Sequence, residues 1–117
     1  MKNPVKKHVR HAVLERDGFR CQYCGRAGLS LEEGTVDHII PISLDGHHKA
    51  ENLRAACRPC NSRRGPKSIE EFRFLLTLAD AGLHGIISAT QAAALQEFGI
   101  NLHLPQPFVF YFERAAS

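Results

Sequence analysis

Two cysteine pairs, Cys21-x-x-Cys24 and Cys57-x-x-Cys60, frame Asp37, His38 and Asn52, and Asn61 follows the last thiol directly. Each Cys-x-x-Cys turn presents two thiolates to one ion, and two such turns complete a tetrahedral site with no position open for substrate. That is the pattern of a structural zinc site; a redox dithiol is the competing reading. The inner residues suit a different chemistry. Hydrolysis of a phosphodiester needs a deprotonated water, neutralised phosphoryl oxygens and help for the leaving oxygen. Histidine titrates near neutrality and suits the first task. A hard divalent cation suits the others and prefers oxygen ligands such as an aspartate and an asparagine amide.

The elements that must hold these residues are short. Thr35 to Ile40 is β-branched and is ended by Pro41, which predicts a strand. Asp37 and His38 are adjacent on it, so their side chains leave on opposite faces. A flat strand cannot aim both at one ion; a division of labour needs a local twist or bulge. Residues 43–51 form a polar loop with a turn at Asp45-Gly46. Its His47-His48 pair reads as loop polarity first, and as a metal or phosphate contact second. Residues 52–56 fit a strand or an early helix, because Leu53, Arg54 and the alanines favour helix while the second knuckle begins at Cys57. A short helix from Cys60 to Arg64 stops at Gly65-Pro66.

Upstream, Asn3 and Pro4 have the form of an N-cap and first helical position. Val5, Val9, Ala12 and Val13 then recur at helical spacing, which predicts a helix over 4–16 ended by Asp17-Gly18. Its Lys6, Lys7, Arg10 and His11 form a basic outer face, to lie along a phosphate backbone or in solvent. Downstream, Ser68 with Glu71 and Ser88 with Gln91 are capping boxes that open two helices, stopped near Gly82 and Gly99. These helices need partners, namely each other and the first helix. Phe108 to Glu113 is an aromatic strand candidate that must be buried, paired or part of an interface. His84 and His103 read as structural or exposed.

Bulk properties narrow the classes. A chain of 117 residues is one domain or one domain with an appended lobe. No apolar run approaches the ~20 residues of a membrane span, and the basic start is followed by no apolar signal core. Paired cysteines without a secretory signal point to thiolates on metal in a reducing, cytoplasmic setting. Residues 1–67 carry 13 Lys/Arg against 7 Asp/Glu, whereas 68–117 carry 2 against 5. The half with the motif is the basic one, as a polyanionic partner would select.

The composite pattern is Arg16-Asp17-Gly18-Phe19-Arg20-Cys21-Gln22-Tyr23-Cys24-Gly25, Val36-Asp37-His38-Ile39-Ile40-Pro41, Glu51-Asn52-Leu53 and Cys57-Arg58-Pro59-Cys60-Asn61. It resembles the zinc-containing HNH endonuclease family over roughly residues 10–66. The resemblance implies an α+β chain: a small ββα-metal core with a four-cysteine zinc site, an N-terminal helix, and a mainly helical extension over 67–117. It implies a hairpin carrying Asp37, His38 and Asn52, then a helix carrying Asn61. His38 would be the general base, Asn52 would orient the loop or the histidine, and Asp37 with Asn61 would hold one Mg²⁺ or Mn²⁺. Structural Zn²⁺ would sit on Cys21, Cys24, Cys57 and Cys60. Arg58, Arg63 and Arg64 are candidate phosphate contacts.

The implied activity is hydrolysis of DNA phosphodiester bonds, most naturally in double-stranded DNA, by a monomer or homodimer with no membrane association. By analogy, the size suits a phage, mobile-element or host-defence nuclease. Two other classes compete: a non-catalytic zinc-dependent module that binds nucleic acid, and a zinc-stabilised protein-interaction module using the aromatic tail. The second would show no salt-sensitive nucleic-acid affinity. Asp45-Gly46 stands where the family often has two glycines, and Asn61 stands in the final H position.

Overall fold

The computed structural model describes residues 5–116, so the expected Asn3–Pro4 cap lies outside the described residues. In chain order the elements are α1 (Lys7–Arg16), β1 (Thr35–His38), β2 (Leu53–Ala56), α2 (Arg58–Arg64), α3 (Ile69–Asp80), α4 (Ala89–Glu97) and α5 (Tyr111–Ala116). Single 3₁₀ turns occupy Ile42–Leu44 and Ala50–Asn52. The architecture is small α+β with one two-stranded antiparallel sheet. The chain forms two compact units. The first comprises the described residues up to Ser68 together with those from Phe110 onward, and the second is Ile69–Val109. The expected division at 66/67 therefore differs in one respect: the chain's last segment belongs with the half that carries the cysteine pairs.

In the first unit β1 and β2 pair in register, with Asp37 opposite Arg54 and His38 opposite Leu53. The ladder runs without a bulge, so the pleat alone sends Asp37 and His38 to opposite faces. Val36 and Leu53 pack with Val5, Val9 and Val13 of the N-terminal segment. The helix begins at Lys7, so Val5 and Lys6 of the expected helix stay outside it, and Lys6 caps it without a side-chain bond. Its end is a Schellman motif: Gly18 N–H donates to Glu15 O (3.0 Å) and Phe19 N–H to Leu14 O (2.9 Å).

Arg16 and Asp17 then join that end to the sheet. Arg16 donates to the carbonyls of Ala50 (2.9 Å) and Leu53 (2.6 Å), and Asp17 accepts from Ala55 N–H (2.8 Å). Arg10, expected on the outer basic face, instead donates to the carbonyls of Leu31 (2.6 Å) and Gly34 (3.1 Å).

The aromatic strand expected over Phe108–Glu113 is not a strand. Residues 111–116 are helical. Glu113 reaches back to accept from Phe110 N–H (2.9 Å), the reciprocal half of a capping box, so Phe110 starts a helix. The first amides of α5 donate to carbonyls of the first cysteine knuckle, Tyr111 to Tyr23 O and Phe112 to Gln22 O, both at 2.9 Å. Phe110 is fully buried, with its ring edge-on to Tyr23 at 5.5 Å. In the second unit α3 and α4 pack on each other. The Ser88–Gln91 capping box is formed in both directions, as the sequence predicts. No helix among the described residues is long and apolar enough to cross a membrane.

Candidate metal centre and active site

The knuckles meet. The sulfurs of Cys21, Cys24, Cys57 and Cys60 all lie within 4.8 Å of one another, and none forms a disulfide. Cys24 Sγ and Cys57 Sγ are 3.9 Å apart. A tetrahedral ion with metal–sulfur bonds of ~2.3 Å sets sulfurs about 3.8 Å apart, so the spacing suits a metal. The proton inventory points the same way. A hydrogen bond from Cys60 is the largest effect on Cys21 and, against its burial, lowers that thiol to about 4; Cys60 is pushed up in turn. Burial raises Cys24 first, and its sulfur neighbours add to that. Crowded thiols resist sharing negative charge until a cation carries it. Cys21, Cys57 and Cys60 are buried and Cys24 is exposed.

Asp37 sits on the inner face of β1, only 8% exposed. Its Oδ2 accepts from the Tyr23 hydroxyl and from Arg64 Nη1 (2.7 Å). Burial, followed by the Asp37 charge and hydrogen bond, raises the Tyr23 phenol, so it remains a donor. Arg64 is fully buried and also donates to Tyr23 OH (2.9 Å) and to the carbonyls of His38, Ile39 (2.8 Å) and Lys67 (2.9 Å). This corrects the expected phosphate contact at Arg64. Its guanidinium is consumed inside the fold, where it neutralises Asp37. Arg58 and Arg63 are exposed on α2.

On the opposite face His38 is partly buried at the end of β1. Its Nε2 lies 3.0 Å from His48 Nδ1, with the rings edge-on at 5.1 Å. Loss of water around the ring, then the neighbouring His48, hold the His38 pKa below 6.5. His48 is thus the neighbour of His38 that the loop's composition concealed. A histidine beside a turn carries no sign of which ring it will meet ten positions away.

Asn52 is 4% exposed and binds the intervening loop by three bonds. Its Oδ1 accepts from Ile40 N–H (2.9 Å), and its Nδ2 donates to Ile40 O (3.1 Å) and His47 O (2.8 Å). None of these goes to the His38 ring. Gly46 makes the same loop possible: a Cβ there would lie 1.7 Å from Ile40 O. Asn61 lies on α2, which packs on β1, and its side chain has no hydrogen-bond partner among the described residues. The structure therefore brings Asp37, His38 and Asn52 onto one hairpin, with the helix of Asn61 beside it.

The order β1, β2, α2, with a thiolate cluster at its base, is a ββα arrangement. Residues 21–67 match the HNH endonuclease family. The matched segment contains both knuckles, the hairpin and the helix. The crystal structure of the Type II-C Cas9 enzyme from Actinomyces naeslundii is similar in fold, with a TM-score of 0.52 and 22% identity. That match covers 78% of this chain and 10% of the Cas9 chain, so the protein spans a tenth of that enzyme's length. A comparison with curated protein sequences gives no match.

Proposed function

We propose that the protein is a metal-dependent HNH endonuclease that hydrolyses DNA phosphodiester bonds, with His38 as general base. The observation that carries this reading is the His38–His48 pair on the hairpin of the HNH segment. If His38 Nε2–H donates to His48 Nδ1, the tautomer is set and Nδ1 of His38 keeps its lone pair for a proton from water. The depressed pKa keeps that nitrogen unprotonated at neutral pH. Asn52 holds the loop that carries His48 and does no chemistry itself.

The donors present fit a hard ion. Asp37 keeps Oδ1 outside its bonds to Tyr23 and Arg64, and Asn61 offers an amide oxygen with no other partner among the described residues. Asp37 and Asn61 would hold one Mg²⁺ or Mn²⁺, which when bound would supply charge neutralisation at the scissile phosphate. Because Asp37 and His38 leave opposite faces of the unbulged ladder, their joint action on one phosphate requires β1 to twist at its end. Tyr23 and Arg64 fix the Asp37 carboxylate in position. The four thiolates would hold Zn²⁺ as scaffold, because they leave no open coordination position. Arg58 and Arg63 are free to meet phosphates.

Supercoiled plasmid incubated with Mg²⁺ or Mn²⁺ tests the reading. Metal-dependent conversion to open-circle or linear DNA is the expected result. Binding by gel shift without cleavage of plasmid, single-stranded DNA or RNA in any metal would instead identify a binding module.

A further inference from the structure

The loop that leaves β1 carries apolar side chains that the fold does not cover. Ile40 is 51% exposed, Ile42 51% and Leu44 58%, and among the described residues of the first unit these are the exposed large hydrophobics. The others, Ile86, Phe98, Ile100 and Val109, belong to the second unit. Single exposed aliphatics are ordinary, whereas three within five residues concentrate apolar surface at one place.

The loop is closed and braced. Pro41 O accepts from Leu44 N–H (2.8 Å) and Gly46 N–H (3.0 Å), and Asp45 N–H donates to Ile42 O (3.0 Å). Asp45 takes φ +66° at the turn, and the Asn52 amide clamps both backbone groups of Ile40. These bonds hold the aliphatic side chains out before any partner arrives, so docking them costs little further ordering. Their position says which partner. Ile40 follows His38 by two residues, so the two Cα atoms lie within about 7.6 Å, and His48 on the same connection meets the His38 ring. A duplex with a phosphate at His38 therefore brings a sugar and a base against this loop. Asp45 is the sole charge in residues 39–46, and a carboxylate repels phosphates. The tip thus suits the groove between the two backbones, where base edges offer apolar surface and amino donors.

We propose that Ile42 and Leu44 form a wedge that enters a groove of the DNA and parts a base step beside the scissile phosphate. The proposal rests on the nuclease reading for its choice of DNA. Aliphatic side chains pushed between base pairs lose stacking in the duplex and gain burial for themselves. The basic first half, with 13 Lys/Arg against 7 Asp/Glu over residues 1–67, supplies the attraction that the loop lacks. A step that is already poorly stacked costs less to open, so the wedge favours a mismatched duplex over a matched one.

The test is fluorescence anisotropy of the zinc-loaded full chain, without Mg²⁺ or Mn²⁺, on a short matched duplex and on the same duplex with one central mismatch. The parent should bind the mismatched duplex about 10-fold more tightly, and Ile42→Ser/Leu44→Ser should bind the two within about 2-fold. Because the wedge meets no phosphate, the slope of log affinity against log salt should be equal in parent and variant, and a lower slope in the variant would overturn it. A parent without the preference, or a variant that keeps it, would also overturn the wedge, while plasmid cleavage in Mg²⁺ would leave the nuclease reading standing. A parent that binds neither duplex would overturn both. Sedimentation showing a parent dimer and a variant monomer, with mismatch preference equal in the two, would overturn the wedge and assign the loop to a second copy of the chain. If the double variant fails to fold, Leu44→Ser alone should cut the preference about 3-fold, and an unchanged preference would refute the wedge.

Discussion

Replacing Arg64 with methionine should damage the fold far more than it damages contact with DNA. The side chain is fully buried, and it donates to Asp37 Oδ2, Tyr23 OH and the carbonyls of His38, Ile39 and Lys67. Methionine fills much of the volume and restores none of these bonds. Asp37, 8% exposed, is left with the Tyr23 hydroxyl against its charge. Removing one partner of a buried ion pair costs about 3–5 kcal/mol, because the survivor stays charged and dry. For 117 residues at roughly 0.05–0.15 kcal/mol each, total stability is about 6–18 kcal/mol, so the loss is a large share.

Urea unfolding of the zinc-loaded protein, followed by circular dichroism, should show at least ~3 kcal/mol lost in Arg64→Met. Asp37→Asn in the same chain removes the stranded charge, so the double variant should lose less than the sum of the singles, with a coupling of up to about 3 kcal/mol. A loss below ~1 kcal/mol, or strict additivity of the two changes, would refute the buried-pair argument.

Cys57→Ser removes one of four ligands, and the variant should lose its zinc and the cooperative unfolding of the first unit. Metal analysis beside circular dichroism checks this; full zinc with a native spectrum would contradict the four-thiolate site. His48→Ala lets water reach His38 and removes a neighbour that opposes its charge, and both changes raise the His38 pKa. The acid limb of kcat should lie below pH 6.5 in the parent and move upward in the variant, so an unmoved limb would count against the pair. Asn52→Ala orphans backbone groups of Ile40 and His47 at about 1–3 kcal/mol each where they stay dry. Asn52→Asp should not restore stability, since a carboxylate accepts from Ile40 N–H but donates to neither carbonyl; thermal melts of both variants decide this.

The four-cysteine set was legible because its information is local: two turns, two sulfurs each, and only their meeting left to the fold. The β1 strand was legible from Thr35 and Val36, although it ends at His38, short of the expected Ile40, and the opposite faces of Asp37 and His38 followed from the pleat. Asp37, His38 and Asn52 share one hairpin and Asn61 lies on the neighbouring helix, but Asp37 and His38 leave opposite faces of the strand.

Partnership at long range was hidden. Arg64 looks like any basic residue near a helix end, and nothing in its neighbours shows that Asp37, 27 positions earlier, will neutralise it inside the protein. His48 was similarly ambiguous until its ring met His38. At the C-terminus a run of aromatics outweighed a helix start signal, Glu113 three residues after Phe110, and β-propensity yielded to amides that found knuckle carbonyls. The Arg16-Asp17-Gly18 motif was read as part of a family pattern, while its physical task of joining α1 to β2 needed the hydrogen bonds to be seen.

The central claim is that His38 takes the proton from the attacking water. Single-turnover cleavage of plasmid by His38→Ala, at saturating protein and Mg²⁺ and with zinc content and DNA affinity matched to the parent, measures that step alone. The account predicts a rate lower by roughly 10²–10⁴-fold with binding unchanged. Cleavage at the parent rate would contradict it and send the search for the base elsewhere on the hairpin.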